Sequence, residues 1–142
     1  VDVGERDGIP NDAPVITSGK GLIGRVSLSD VTSARVVSII DENSAISASI
    51  SKPGGSNVIV RGDYNLKGQG LCRMDNIPFD ANVEVGDVIE TSGLGGIYPK
   101  GIVIGKVKQI NKGSSEYDRY AVIEPVVDFK RIDEVFILKS RE

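Results

Sequence analysis

At 142 residues, 39% hydrophobic and 26% charged, the chain has the make-up of one ordinary soluble domain or two very small ones. Its net charge of -3, without a run of five basic residues, argues against nucleic acid and anionic lipid headgroups as partners. Histidine is absent and cysteine occurs once, which removes Ser-His-Asp and Cys-His catalysis, most zinc and non-haem iron sites and any internal disulfide. No segment approaches the roughly 18 apolar residues of a membrane helix, and the N-terminus does not resemble a signal peptide.

Taken in chain order, the first apolar run, Ala13 to Thr17, leads into Gly19-Lys20-Gly21-Leu22-Ile23-Gly24. That stretch matches the Gly-x-Gly-x-x-Gly pattern of dinucleotide sites, and a second apolar run, Val36 to Ile40, ends in Asp41. Such a site needs a helix directly after the loop, because the helix N-terminus holds the pyrophosphate. Residues Arg25 to Arg35 are rich in serine and β-branched residues, with Val26 and Leu28 alternating with serines. The pattern predicts a strand, so the glycines are turn and close-approach positions in a hairpin.

Further along, Ile46 to Ser51 alternates apolar and polar residues, the mark of a strand with one buried face. A Pro-Gly-Gly turn leads to a strand at Val58 to Arg61, and Lys67-Gly68-Gln69-Gly70 leads to another at Leu71 to Met74. Strands are also predicted at Val83 to Val85, Asp87 to Glu90, Ile102 to Ile110, Tyr120 to Glu124 and Val135 to Leu138. The expected fold is all-β: two small antiparallel β-barrel subdomains with little or no helix.

A faint internal repeat bears on the domain division. Pro14 to Gly19 followed by Gly21-Leu22-Ile23-Gly24-Arg25-Val26 resembles Asp87 to Gly93 followed by Gly101-Ile102-Val103-Ile104-Gly105-Lys106-Val107. Two like hairpins could pair in one barrel of residues 1–35 plus 82–142, with 36–81 inserted as a second small barrel. A sequential division, 1–78 and 79–142, is the alternative.

The densest glycine run, Thr91 to Gly101, lacks the Gly-Lys-Ser/Thr of a phosphate loop. Its apolar residues Leu94, Ile97 and Tyr98 either pack inward to close a barrel end or stand out as a partner-binding patch. They are the candidate partner contacts, and aspartate at Ile97 is expected to weaken binding without changing the melting temperature. Gly19, Gly21, Gly24, Gly93, Gly95, Gly96, Gly101 and Gly105 are expected as structural turn glycines. Cys72 alternates with Arg73 and shares a face with Met74, as a small core residue would. Asp41-Glu42, Glu116 with Asp118, and Asp133-Glu134 read as surface charge. A hydrolase would need a Ser-Lys pair, for which Ser92 and Lys100 are the nearest candidates, although turn chemistry explains both. No catalytic, cofactor-binding or metal-binding residue is expected, and scarce aromatics weigh against a sugar-stacking cleft.

Gly86-Asp87-Val88-Ile89-Glu90-Thr91-Ser92-Gly93-Leu94-Gly95-Gly96-Ile97-Tyr98-Pro99-Lys100-Gly101-Ile102, followed by Ile104-Gly105-Lys106-Val107, resembles the signature of the rod shape-determining MreC family. Asp7-Gly8-Ile9, Pro14-Val15-Ile16 and Gly21 to Val26 are similar to that family's opening, and Glu124-Pro125-Val126-Val127-Asp128-Phe129 to its close. Tyr98 stands where phenylalanine is common, Val126 where alanine is common, and Asn11-Asp12-Ala13 where Gly-Met often precedes the proline. The resemblance implies a non-catalytic scaffold of the cell-elongation machinery that maintains rod shape by positioning peptidoglycan synthases. It implies two small β-barrels on the extracytoplasmic face of the cell membrane, anchored by a preceding N-terminal helix and coiled coil. The partners it implies are the elongation penicillin-binding protein, MreD, MreB through the membrane assembly, and further copies of the chain as dimer or filament. A serine hydrolase on a protease-like barrel and a direct peptidoglycan-binding module are the alternative functions.

Overall fold

A computed structural model describes residues 13–17, 21–29, 34–112, 118–128 and 135–137, and ten strands lie among them. The strands are β1 (Pro14–Thr17), β2 (Leu22–Ser29), β3 (Ala34–Ser38), β4 (Ala45–Ile50), β5 (Asn57–Arg61), β6 (Cys72–Asp75), β7 (Val88–Thr91), β8 (Val103–Asn111), β9 (Tyr120–Pro125) and β10 (Val135–Ile137). One turn of helix, α1 (Tyr64–Lys67), precedes β6. Asp63 caps it, its carboxylate accepting from the Asn65 N–H at 2.8 Å. The fold is therefore all-β with almost no helix, as expected.

Strands β4-β5-β6-β9-β8-β7 close into an antiparallel barrel, while β10-β1-β2-β3 form an open antiparallel sheet. In β4 the apolar positions Ile46, Ala48 and Ile50 are buried and the serines between them half-buried, the period of two that the sequence displays. Closure satisfies every strand of the barrel on both sides. The ends of the open sheet, β10 and β3, are its free edges among the described residues.

The strand grouping corrects the expected domain division. Hairpin β1-β2 lies in the open sheet, hairpin β7-β8 lies in the barrel, and β4, β5 and β6, within residues 36–81, complete that same barrel. The barrel thus lies between β3 and β10 in the sequence. Similar hairpins share local turn chemistry, but the strands each one pairs with are set by which faces are apolar. The predicted strand at Val83 to Val85 is a loop: Val83 is buried at the barrel end, Val85 is exposed, and Val85 and Gly86 turn the chain, the Asp87 N–H donating to the Glu84 carbonyl at 3.1 Å.

Two interlocked clusters form the core. The larger fills the barrel with Ile46, Ala48, Ile50, Val58, Val60, Cys72, Met74, Ile89, Ile104, Val107, Ala121 and Ile123. It takes in Leu22 from β2 and Ile39 and Ile40 from the segment entering β4. The smaller joins Ala13, Val15, Ile23 and Val26 of the sheet to Val127, just beyond β9. Leu22 and Ile23 are adjacent on one strand and so face opposite sides, one toward each cluster. A parallel bridge between Gly21 and Val103 marks the same junction.

The repeated glycine has one role in both units. A Cβ on Gly24 would overlap the Val37 carbonyl oxygen of β3, and a Cβ on Gly105 would overlap the Glu124 carbonyl oxygen of β9. Each glycine lets the backbone of a neighbouring strand approach closely. Gly19 lies outside the described residues.

Candidate partner-binding surface

The glycine run joins β7 to β8 at the barrel end nearest the open sheet, and buried Thr91 fixes its base. The Thr91 hydroxyl donates to the Pro99 carbonyl at 2.6 Å and accepts from the Ile102 N–H at 2.8 Å. The Gly101 N–H donates to the Thr91 carbonyl at 2.9 Å, and the Ser92 N–H to the Ser47 carbonyl at 3.0 Å. Gly93, Gly95, Gly96 and Gly101 all have positive φ, a backbone conformation that favours glycine.

This path divides the three candidate contacts. Tyr98 is only 6% exposed and belongs to the barrel core, so its assignment as a surface contact is corrected: the ring closes the barrel end. Ile97 is half-buried and packs on the same core. Leu94, 56% exposed, remains on the surface.

Side chains with chemical potential are engaged in structure. Cys72 is fully buried, its Sγ 3.8 Å from the Ile123 carbonyl oxygen, and burial pushes its thiol up to about 12. The Ser92 hydroxyl accepts from the Leu94 N–H at 3.2 Å, a turn bond, and with Lys100 it lines a shallow recess of about 290 Å³. The Asp41 carboxylate accepts from the Asn43 N–H at 2.8 Å. Glu116, Asp133 and Glu134 lie outside the described residues.

On the barrel wall an open cleft of about 410 Å³ is lined by Asp63, Asn65, Gln69, Arg73, Gln109 and Tyr120, among others. Arg73 stacks on the Tyr120 ring at 3.9 Å, and its Nε donates to Asp75 at 2.6 Å. That hydrogen bond holds the guanidinium more firmly in its charged form than usual. Gln109 Nε2 donates to Asn111 Oδ1 at 2.7 Å.

At the opposite end of the barrel, residues 76–87 connect β6 to β7. Ile77 and Val83 turn into the core, whereas Phe79 and Val85 are 62% and 65% exposed. Arg119 holds this loop: one Nη donates to the carbonyls of Pro78 at 2.7 Å, Ala81 at 3.2 Å and Phe79 at 3.4 Å. Asp87 Oδ2 anchors its far end, accepting from the Glu84 N–H and from Lys52 Nζ, each at 2.9 Å. Burial alone would raise the Asp87 pKa, but the Glu84 amide and Lys52 together hold it below the ordinary carboxylate value. Sequence patterning missed this loop, since nothing in Ile77-Pro78-Phe79-Asp80 says which apolar residue faces outward.

Residues 1–139 match the family described as rod shape-determining protein MreC, barrel core. The chain belongs to the MreC family. It is 31% identical over 142 residues to the cell shape-determining protein MreC of Listeria monocytogenes, covering 98% of this chain and 47% of that protein. The chain thus spans about half the length of that curated relative. The crystal structure of MreC from Pseudomonas aeruginosa is similar at a TM-score of 0.85 and 25% identity, covering 96% of this chain and 85% of that one. The MreC fold also recurs, at a TM-score of 0.70 and 21% identity, in the complex between penicillin-binding protein PBP2 and MreC from Helicobacter pylori, covering 87% and 74% of the respective chains.

Proposed function

We propose that this domain is a non-catalytic scaffold that maintains rod shape by holding an elongation penicillin-binding protein at the outer face of the cell membrane. The observation that carries the reading is the MreC match across residues 1–139, in a family whose relatives are named as cell shape-determining. The Helicobacter pylori complex supports the choice of partner, because there an MreC of this fold is bound to PBP2. The geometry agrees: the barrel is filled by side chains, and its surface presents loops that carry exposed apolar residues. Leu94 is retained as a contact residue of the glycine loop, with Ile97 beside it.

In this reading a membrane helix and coiled coil precede the domain, and MreD, MreB and further copies of the chain complete the assembly. The test is made in the cell. Deletion of this domain from the full-length protein should round the cells while the remaining protein still reaches the membrane. Rods that persist after the deletion would refute the proposal.

A further inference from the structure

We propose that the cleft on the barrel wall between α1 and β8 is a second binding site, taking a short extended peptide that carries a carboxylate side chain. The inference adds a ligand to the scaffold reading and stands independently of which protein the scaffold holds.

The first ground is how the cleft is built. Leu71, just before β6, and Val122 of β9 are buried on its floor, with α1 on one side and the end of β8 on the other. Its volume of about 410 Å³ is within the range that holds small ligands. The pairing of β8 with β9 shifts register between Val107 and Gln109. Lys108 is the extra residue of that bulge, so Lys108 and Gln109, neighbours in the chain, are both exposed and both line the cleft. A regular strand would send one of the two to its other face.

The second ground is the charge left over. Arg73 is held by its stacking on Tyr120 and by the bond from its Nε to Asp75. Its Nη1 lies 3.9 Å from Asp63 Oδ2, and its Nη groups make no hydrogen bond among the described residues. Asp75 is shared with Arg61 at 3.3 Å, and Asp63 also accepts from the Asn65 N–H. Lys108 makes no ion pair among the described residues; Lys106, opposite Glu124, and Lys112, just past β8, are also exposed on this side. Asp63 and Asp75 thus answer Arg61 and Arg73, and Lys108 is unanswered. An anionic ligand would be met by the preset Nη edge of Arg73 and by Lys108.

The third ground is an amide pair that selects a peptide. Gln109 Nε2 donates to Asn111 Oδ1, which leaves Gln109 Oε1 as an acceptor and Asn111 Nδ2 as a donor on the cleft wall. One acceptor beside one donor is the complement of a peptide unit, which offers an N–H and a C=O. A chain laid along β8 would give its backbone to this pair and its acidic side chain to Arg73 and Lys108. Arg73 already covers a face of Tyr120, and that face is therefore closed to a stacking sugar ring.

The test follows the backbone amide NMR signals of the domain as two acetylated, amidated tripeptides are added, glycine-glutamate-glycine and glycine-glutamine-glycine. The glutamate peptide should saturably shift signals of β6, β9 and the end of β8, and bind about fivefold or more tightly than the glutamine peptide at low salt. Lys108→Met should at least halve that preference, and Gln109→Leu should weaken both peptides by about threefold or more. Both side chains are exposed, so melting temperatures should not change. Equal binding of the two peptides by wild type, shifts that do not saturate, or shifts outside the cleft would overturn the inference. Acetate acting on the same signals at the same concentrations would reduce the cleft to an anion patch, and N-acetylmuramic acid binding in place of the peptide would make it a saccharide site; either result also overturns it. None of these outcomes touches the scaffold reading, which is judged by binding of the penicillin-binding protein.

Discussion

Thr91 and Pro99 are joined by a 2.6 Å hydrogen bond in which a fully buried hydroxyl donates to a loop carbonyl. The same oxygen accepts from the Ile102 N–H, so one side chain ties both limbs of the glycine loop to the end of β7. Thr91→Val keeps the shape and removes the partner of two part-buried backbone groups, the Pro99 carbonyl and the Ile102 N–H. The expected loss is about 1–3 kcal/mol in urea unfolding, with faster amide exchange at Ile102.

The paired close-approach glycines make a sharper demand. Gly24→Ala and Gly105→Ala each drive a methyl group into a strand carbonyl and should cost about 3 kcal/mol or more, or prevent folding. Gly68→Ala is the matched control. Gly68 has helical φ and ψ, and a Cβ there meets nothing within 4 Å, so alanine should be neutral or stabilise by up to about 1 kcal/mol.

The glycine loop's apolar residues separate by burial. Tyr98→Ala removes a core ring and should cost about 3–5 kcal/mol, while Leu94→Ala should stay within about 0.5 kcal/mol of wild type. Ile97→Asp places a charge against the barrel core, so it should lower the melting temperature. This reverses the expectation drawn from sequence. Thermal melts of the three variants decide the ordering.

Cys72 should be inert. With its thiol pushed up to about 12 by burial, it stays protonated through the working pH range. A thiol reagent at pH 8 should label it in denaturant and leave the native protein untouched.

Asp87 sets the acid limb of stability. Its folded pKa lies below the unfolded value of about 3.9, so its contribution is present above about pH 4 and lost as pH falls through the folded value. Asp87→Asn should lower stability at neutral pH and flatten the decline below about pH 4, as read from denaturant midpoints at successively lower pH.

How much of this was legible in the residues follows from the physics of each signal. Alternation in β4 reports a strand because one face is buried, and Ile46, Ala48 and Ile50 are the buried set. Serine-rich alternation after Gly24 distinguished a strand from the helix of a nucleotide site, and β2 runs through Leu22–Ser29. Which hairpin pairs with which was not legible. The likeness of the two glycine hairpins describes local turns, whereas sheet membership depends on distant partners such as Ile39 and Val127. Val83-Glu84-Val85 alternates like a strand yet makes no ladder, because Val83 is spent on plugging the barrel. On the glycine loop Leu94 and Tyr98 look alike in sequence; the positive-φ turns at Gly93, Gly95 and Gly96 bring Tyr98 back into the core and leave Leu94 outside. Arg119 gives no sequence cue at all, since its acceptors lie about forty residues away.

Calorimetric titration of the folded domain into the extracytoplasmic region of the elongation penicillin-binding protein tests the central claim most directly. A binding domain gives saturable heat at a fixed stoichiometry, with the domain chemically unchanged afterwards. Flat titrations between two demonstrably folded proteins, or stoichiometric labelling of Ser92 by a covalent serine probe, would contradict it.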